Sequence, residues 1–197
     1  MPVVYYARHG QTDLNAAQRL QGRRDPPLNA RGRQQAVDCG NVMRDLFVRD
    51  QRRAEDFDYV SSPLVRARET MELVRTTLGV DPQLYAIDDR LIEIAYGDWE
   101  GLTLPEIQAG DPDILARRER DKWDFTPPGG ECYRDLAKRI DDWYASLTRD
   151  TVVAAHGGGV RALMAHFHVM SDAESTHADI AQGAVYVFDG STMARYT

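Results

Sequence analysis

The chain has 197 residues, of which 43% are hydrophobic and 28% charged, and its formal net charge is −7 at pH 7. This length suits one domain, residues 1–197, with a full α/β core, and the composition is ordinary for a globular protein. The negative net charge argues against nucleic acid or an anionic membrane as a partner. The sequence shows neither a signal sequence nor an apolar stretch long enough to span a bilayer, so we expect a cytoplasmic protein.

The first predicted element is a buried strand over residues 3–7, a continuous run of β-branched, aromatic and small apolar residues. Such runs are typical of parallel sheets, which are covered on both faces. Arg8, His9 and Gly10 follow directly. Because ligands of open α/β sheets bind just outside the carboxyl ends of the strands, Arg8 and His9 lie where chemistry is expected. Three residues alone are a weak signal, and a plain strand-exit loop explains them equally well.

A loop and a long helix are predicted next. The loop, residues 18–27, is polar and broken by prolines, and it carries Arg23 and Arg24. These two side chains either face the anionic end of a substrate or lie on the solvated surface, and the second alternative is favoured. Asn29 is a suitable N-cap for a helix that ends near Arg49.

A second strand and helix repeat this pattern. Residues 57–61 form a short apolar run, which predicts another buried strand. The helix after it is expected to have Pro63 in its first turn, where proline is tolerated, and Arg66 one turn in. Residues 83–87 are predicted to form a third short strand.

Residues 90–131 are the least regular part of the chain, rich in glycine and proline. We interpret them as a cap with two short helices, near residues 105–109 and 113–122. Glu93 stands at the start of this segment between apolar neighbours. Three aromatic side chains either line a substrate pocket or pack the cap onto the body, the second being favoured: Trp99, Trp123 and Phe125.

The C-terminal part contains an amphipathic helix over residues 135–147 and a buried strand over 151–155, which ends at His156 and a glycine. Two strands that are far apart in sequence therefore each end in His-Gly. If they are parallel neighbours, the imidazoles of His9 and His156 meet at one sheet edge. A closing hairpin is predicted for residues 184–196.

The helix after this second histidine is predicted over residues 160–169 and is opened by glycines 157–159. A glycine-rich helix start can present backbone N–H groups to an anion. We assign Arg161, in the first turn, to the surface. His166 and His168 are two apart and so point to different faces of the helix, which argues against a shared metal ion.

Five segments in a fixed order carry a resemblance to a known family: Arg-His-Gly (8–10), Ser-Ser-Pro-Leu-Val-Arg-Ala (61–67), Glu-Ile-Ala-Tyr-Gly-Asp-Trp-Glu-Gly (93–101), Pro-Pro-Gly-Gly-Glu (127–131) and His-Gly-Gly-Gly-Val-Arg (156–161). The set resembles the histidine phosphatase superfamily, in its phosphoglycerate-mutase-like branch, over nearly the whole chain. The resemblance implies an α/β three-layer sandwich with a mostly parallel central sheet flanked by helices. It also implies that residues 90–131 form a small cap over the C-terminal edge of the strands.

The resemblance also assigns roles to individual positions. The catalytic residues fall on His9 as the nucleophile, Glu93 as the proton donor, and His156. The phosphate-binding residues fall on Arg8, Asn15, Arg66 and His156. Substrate-binding positions fall on Gln21 and Gly22. One departure from the pattern is Gln11, where relatives often carry Glu, and this change bears on substrate preference.

These residue types suit phosphoryl transfer. A phosphomonoester needs a nucleophile in line with the leaving oxygen and cations around its other oxygens. A neutral His9 can attack, and a backbone carbonyl on its second ring nitrogen would fix the tautomer. A protonated His156 would keep His9 neutral by like-charge repulsion. Glu93 would protonate the leaving oxygen and later activate water, so the reaction needs no metal ion or cofactor.

The sequence favours a metal-independent phosphatase that acts on a small phosphorylated metabolite. A phosphoglycerate mutase is the first alternative, although mutases of this family usually carry a longer cap insertion. A non-catalytic phosphate-binding module is less favoured because His9, Glu93 and His156 are all present. The sequence leaves a homodimer open, and it does not choose among sugar phosphates, phosphoglycerates, nucleotides and a ribazole phosphate.

Overall fold

A six-stranded sheet forms the centre of the computed structural model, which describes residues 1–197. The strands are β1 (Val4–Arg8), β2 (Asp58–Ser61), β3 (Ala86–Ile87), β4 (Thr151–Ala155), β5 (Val185–Asp189) and β6 (Thr192–Tyr196). Their order across the sheet is β3-β2-β4-β1-β5-β6. The first four strands in this order are parallel, whereas β5 pairs antiparallel with both β1 and β6. The predicted mostly parallel sheet and closing hairpin are therefore confirmed.

Helices cover both faces of the sheet. They are α1 (Asp13–Ala16), α2 (Ala30–Arg49), α3 (Val65–Thr77), α4 (Leu104–Gly110), α5 (Pro112–Arg120), α6 (Tyr133–Ala145), α7 (Gly157–His166) and α8 (Asp172–Ser175). Alternate residues of β1 point to opposite faces. Tyr5 and Ala7 pack with α2 and α3, whereas Val4 and Tyr6 pack with α6 and α7. The result is the predicted three-layer sandwich. None of the helices is both long and apolar enough to cross a membrane.

Several predicted boundaries differ from the structure, and three of the differences have a clear cause. The helix after β2 begins at Val65 rather than at Pro63, because Leu64 is extended (ψ 138°) and serves as the N-cap. The third strand is two residues long, because the Leu84 and Tyr85 N–H groups are used in a local turn. Helix α7 begins at the first glycine of its motif and ends early, since His168 adopts a left-handed conformation (φ 53°) that ends the helix.

The cap segment, which we define as residues 90–131, contains the two predicted short helices, α4 and α5. It has a small apolar cluster of its own, in which Trp99 packs against Ile107 and Ile114. The Trp99 ring also stacks on Phe125 at a centroid distance of 5.5 Å. These two rings pack mainly within the cap segment, whereas the partly buried Trp123 packs against the main core, as the favoured interpretation of the aromatic residues predicted.

Candidate active site

The two His-Gly segments meet at the carboxyl edge of the sheet, as predicted. Strands β1 and β4 are parallel neighbours, and Arg8 stands opposite Ala155 in their register. His9 and His156 follow these two positions, and their ring centroids are 5.2 Å apart. Both rings are almost completely buried. Residues separated by nearly 150 positions therefore form one site because their strands are adjacent.

The His9 ring is fixed in one tautomer. Its Nδ1 lies 2.7 Å from the Gly10 carbonyl oxygen, which can only accept a hydrogen bond, so Nδ1 carries the proton. On the other side of the ring, Arg66 Nε donates to His9 Nε2 at 3.3 Å. Because an arginine only donates, Nε2 presents a lone pair. The predicted carbonyl contact is thus found, and Nε2 is the nucleophilic nitrogen.

Arg66 connects the nucleophile to the loop after α1. Its side chain is completely buried, and besides His9 it donates to the backbone carbonyls of Arg24 (2.6 Å) and Gly22 (2.8 Å). Three of its five N–H groups are used in this way, and two are free for a ligand. The Thr70 hydroxyl donates a hydrogen bond to the Arg66 carbonyl at 2.8 Å, which anchors the first turn of α3.

His156 leaves one ring nitrogen free. Its Nε2 lies 2.7 Å from the Ser62 hydroxyl oxygen, at the end of β2. Its Nδ1 is buried and has no hydrogen-bond partner. Arg8 Nε is also buried without a hydrogen-bond partner, whereas a terminal nitrogen of the same guanidinium donates to the Ile180 carbonyl. These are the two buried side-chain nitrogens without a partner, and both lie at this edge of the sheet.

Burial and neighbouring cations keep both imidazoles neutral in this pocket. Burial is the largest cause that holds the His9 pKa well below its usual range, followed by the charges of Arg66 and Arg8. The His156 pKa is lowered by burial first, then by Arg66 and His9. Burial and the two arginines therefore keep His9 neutral in this state without the charge of a protonated His156.

Asn15 and Gln21 lie on the other wall. Asn15 Oδ1 accepts from the Thr12 backbone N–H at 3.1 Å and from Gln182 Nε2 at 2.8 Å. Its amide nitrogen is left free to donate. Gln21 is buried and its Oε1 lies 2.8 Å from the Thr12 hydroxyl oxygen. Gly22 follows with φ 53°, a conformation that favours glycine.

Glu93 reaches the site from the cap segment. Its Oε1 accepts from the backbone N–H groups of Ile94 (3.0 Å) and Gly158 (3.2 Å), so the glycine-rich start of α7 binds this carboxylate. Oε2 has no protein partner. A side chain at position 158 would collide with Glu93, since an ideal Cβ there lies 2.4 Å from Oε1. The glycine is therefore required for this contact.

These side chains enclose a cavity of about 120 Å³. Its lining comprises Arg8, His9, Asn15, Arg19, Leu20, Gln21, Gly22, Arg66, Glu93, Tyr96, Gly157 and Arg161. The cavity is small compared with typical ligand pockets, and its volume suits one compact group. A wider groove of about 800 Å³ lies along β3 and contains none of these residues.

Arg161 also lines the cavity, although the sequence pattern assigned it to the surface. The side chain does not cover the surface as expected: Nε and one terminal nitrogen donate to the Ala178 carbonyl at 3.1 and 2.9 Å, which turns the guanidinium inward. Arg23 and Arg24, in contrast, are exposed and outside the lining. Gln11 is outside it as well, and its side chain accepts from Asn29 Nδ2 at 3.1 Å.

Comparison with known proteins identifies the family. The sequence profile described as "Histidine phosphatase superfamily (branch 1)" matches residues 4–194. The chain belongs to this superfamily. The resemblance stated from the five motifs is thereby confirmed, together with the fold that it implied.

Members of this superfamily with named activities are similar to the chain. A glucosyl-3-phosphoglycerate phosphatase of Mycolicibacterium vanbaalenii is 37% identical over 171 residues, which cover 80% of this chain and 70% of the relative. A 2,3-bisphosphoglycerate-dependent phosphoglycerate mutase of Methylobacterium radiotolerans is 31% identical over 194 residues, 94% of this chain and 88% of the relative. The solved structure of a mycobacterial glucosyl-3-phosphoglycerate phosphatase with VO3 has a TM-score of 0.77 at 28% identity and covers 100% of this chain and 97% of that chain.

Other relatives are longer than this chain. Mycobacterial proteins, one of them described as bifunctional, are 32% identical over 180 residues. These residues are 91% of this chain but only 45% of the relatives. The chain thus spans about half the length of these curated relatives.

Proposed function

We propose that this histidine phosphatase hydrolyses the phosphomonoester of a small metabolite through a phosphohistidine on His9, with Glu93 as general acid and base. The observation that carries the proposal is the His9 ring: Nδ1–H is held by the Gly10 carbonyl, and the Nε2 lone pair lies at the cavity that Arg8 and Arg66 line. A buried neutral imidazole beside cations is suited to attack a phosphorus atom.

In the first step, the Nε2 lone pair of His9 gives up its hydrogen bond from Arg66 Nε and forms a bond to phosphorus as the ester P–O bond breaks. The leaving oxygen takes the electron pair of that bond and a proton from Glu93, so an alcohol departs. Phosphorylation gives the His9 ring positive charge. The Gly10 carbonyl stabilises this charge because it accepts from Nδ1–H throughout.

In the second step, the Glu93 carboxylate takes a proton from water, and the water oxygen attacks phosphorus. The P–N bond breaks and its electron pair returns to Nε2, which restores neutral His9 and protonated Glu93. Microscopic reversibility makes the same carboxyl group the acid of one step and the base of the next. Neither step requires a metal ion.

The proposed phosphate ligands are Arg8, Asn15, Arg66 and His156. Arg8 Nε and His156 Nδ1 are the buried nitrogens without a protein partner, and each can donate to a phosphate oxygen. A bound dianion would raise the His156 pKa, since an opposite charge favours the protonated ring. We add Arg161 to the charges that surround the phosphate, because it lines the same cavity.

The substrate class follows from charge and size. With a net charge of −7, the chain is a poor partner for nucleic acid or an anionic membrane, so we propose a small phosphorylated metabolite. Only the phosphoryl group fits the cavity of about 120 Å³. The cap segment and the loop that contains Gln21 and Gly22 would then contact the remainder of the substrate. A homodimer stays a hypothesis that sedimentation would test.

A phosphoglycerate mutase is the second candidate, supported by the similarity to the Methylobacterium enzyme. A mutase must keep the phosphohistidine and exclude water from it. Hydrolysis is favoured by the short cap segment, which contains only two helices, of seven and nine residues.

The test is phosphate release in the presence of EDTA from an aryl phosphate, several sugar phosphates, glucosyl-3-phosphoglycerate, a ribazole phosphate and 3-phosphoglycerate. The last is also assayed for 2-phosphoglycerate, with and without a bisphosphoglycerate primer. Metal-independent release supports the proposal. Isomerisation without release would replace it with the mutase, and neither activity over the whole panel would favour a phosphate-binding module.

A further inference from the structure

Tyr6 contacts the backbone of His156 from the neighbouring strand. Tyr6 lies on β1 and is completely buried. Its hydroxyl oxygen accepts from the His156 N–H at 3.0 Å, and its O–H donates to the His156 carbonyl at 2.9 Å. One hydroxyl group therefore satisfies both polar backbone groups of His156, 150 positions away in the sequence.

These bonds occur where the chain has little other support. His156 is the N-cap of α7 and makes no side-chain cap of its own. The first helical bond to its carbonyl, from Val160 N–H, is long at 3.4 Å. A buried backbone N–H without a partner is strongly disfavoured in proteins. The Tyr6 hydroxyl is the group that prevents this at the end of β4.

The imidazole of His156 is held at a second point. Its Nε2 lies 2.7 Å from the Ser62 hydroxyl, while Nδ1 is free. With the backbone held by Tyr6 and one ring nitrogen held by Ser62, both the position and the rotation of the ring are set. The direction of the free Nδ1 follows from these two contacts.

Gly159 makes room for the hydroxyl. An ideal Cβ at position 159 would lie 2.3 Å from the Tyr6 hydroxyl oxygen, but 3.3 Å from Tyr6 Cζ. A side chain at 159 and a hydroxyl on residue 6 therefore exclude each other, whereas a methyl group at 159 needs a shift of only a few tenths of an ångström to lie against a phenylalanine ring. The third glycine of the motif is explained by Tyr6 rather than by the ligand.

We propose that Tyr6 is a positioning residue, which acts through the His156 backbone to aim Nδ1 of that histidine at the phosphoryl group. The inference rests on the proposed function, in which His156 binds phosphate. It extends that function to a buried residue that does not line the cavity. Tyr6 touches neither substrate nor the reacting atoms.

The test compares Tyr6→Phe with Tyr6→Phe/Gly159→Ala. The single variant loses the hydroxyl and leaves a gap, whereas the added methyl of the double variant fills the gap but accepts no hydrogen bond. We expect Tyr6→Phe to lower kcat/KM at least tenfold and to raise the inhibition constant of inorganic phosphate by a similar factor. The double variant should regain thermal stability relative to the single variant without regaining activity or phosphate affinity.

The matched control is Tyr144→Phe. This tyrosine is also buried, and its hydroxyl donates to a backbone carbonyl, that of Pro2, at 3.0 Å. It should lose stability but keep wild-type kcat/KM. If Tyr6→Phe is too unstable to assay, the double variant carries the same test, because both lack the hydroxyl.

Two results would overturn the inference. One is wild-type kcat/KM and phosphate affinity in a folded variant without the hydroxyl. The other is recovery of activity together with stability in the double variant, which would make Tyr6 a packing residue only. Failure of the proposed function would give a different result, because the wild-type protein itself would then release no phosphate. The effect of each variant on phosphate binding to His156 would still be measurable by imidazole NMR.

Discussion

Replacement of Gly158 by alanine should separate the acid role of Glu93 from phosphate binding. The new Cβ would lie 2.4 Å from Glu93 Oε1 and 2.9 Å from Leu136 Cδ2. Leu136 is completely buried in the main core and has little room to move. The carboxylate must therefore retreat by about 0.6 Å to reach the 3.0 Å below which Cβ contacts are not found. The retreat also stretches its 3.2 Å hydrogen bond from the Gly158 N–H.

The size of the effect follows from these distances. A 1 Å misplacement costs on the order of 10²-fold in rate. A shift of about 0.6 Å with a weakened hydrogen bond should slow cleavage of a sugar phosphate by roughly 10- to 100-fold. An aryl phosphate has a leaving group that needs little protonation, so its cleavage should slow by only about threefold or less.

The assay is the first turnover by rapid quench, measured as release of the leaving group before the phosphoenzyme hydrolyses. Gly110→Ala is the control, because an added Cβ there meets nothing within 4 Å, and its rates should equal those of the wild type. Equal slowing of the sugar and aryl substrates, or no slowing of either, would refute the acid role of Glu93.

Three further predictions concern the pocket and the cap. Asn15→Asp puts a carboxylate where the free amide donor lies. It should raise the inhibition constant of inorganic phosphate by roughly 10- to 100-fold, because a hydrogen bond to a charged group is lost. An unchanged inhibition constant would show that Asn15 does not bind phosphate. Imidazole NMR of the free protein should show neutral His9 and His156 rings at pH 6, with the His9 proton on Nδ1. Below the ordinary histidine pKa of about 6.5, the unfolded chain binds more protons than the folded protein, because folding lowers the pKa of both rings. The free energy of unfolding should therefore fall as the pH is lowered through that value, by at most about 1.4 kcal/mol per pH unit for each ring. Charged rings at pH 6, or a free energy of urea unfolding that does not change with pH, would contradict this. Ile107→Ala should destabilise the cap cluster by about 2–4 kcal/mol, measured by urea unfolding and protease susceptibility. Leu104 is half-exposed, so Leu104→Ala should change stability by about 0.5 kcal/mol or less. Equal effects of the two substitutions would mean that the cluster does not hold the cap.

The sequence identified two strands that each end in His-Gly, and the meeting of the two histidines then required only that these strands be parallel neighbours. Both strands are continuous apolar runs, which parallel sheets require, and both end in His-Gly. Neighbouring parallel strands must bring such ends together, so no knowledge of side-chain packing was needed. The same holds for the buried Arg66, because its motif fixed its place in the first turn of α3.

Side-chain direction was beyond the sequence. Helical periodicity places Arg161 near the start of α7 but does not tell whether its guanidinium turns inward or outward. The answer depends on the Ala178 carbonyl, which belongs to the loop after α8. The contact between Gly158 and Glu93 was hidden for the same reason, since it joins two segments 65 positions apart.

A hydrogen bond from another loop accounts for the incorrect start of α3. Asp25 Oδ1 accepts from the Val65 N–H at 2.7 Å, which favours the start of α3 at that residue instead of two positions earlier. Such a contact from another loop leaves no local pattern. The signal that would have exposed Tyr6 was present, however: a tyrosine in a fully buried apolar strand needs a partner for its hydroxyl.

The most direct test of the account is to trap the phosphoenzyme. Glu93→Gln should accept the phosphoryl group from an aryl phosphate but hydrolyse it slowly, since the second step needs the carboxylate. Mass spectrometry under alkaline conditions should then find one phosphate per chain, on the peptide that contains His9, and none in His9→Ala/Glu93→Gln. Phosphate on another residue, or release of the aryl alcohol by the variant that lacks His9, would contradict the assignment of the nucleophile.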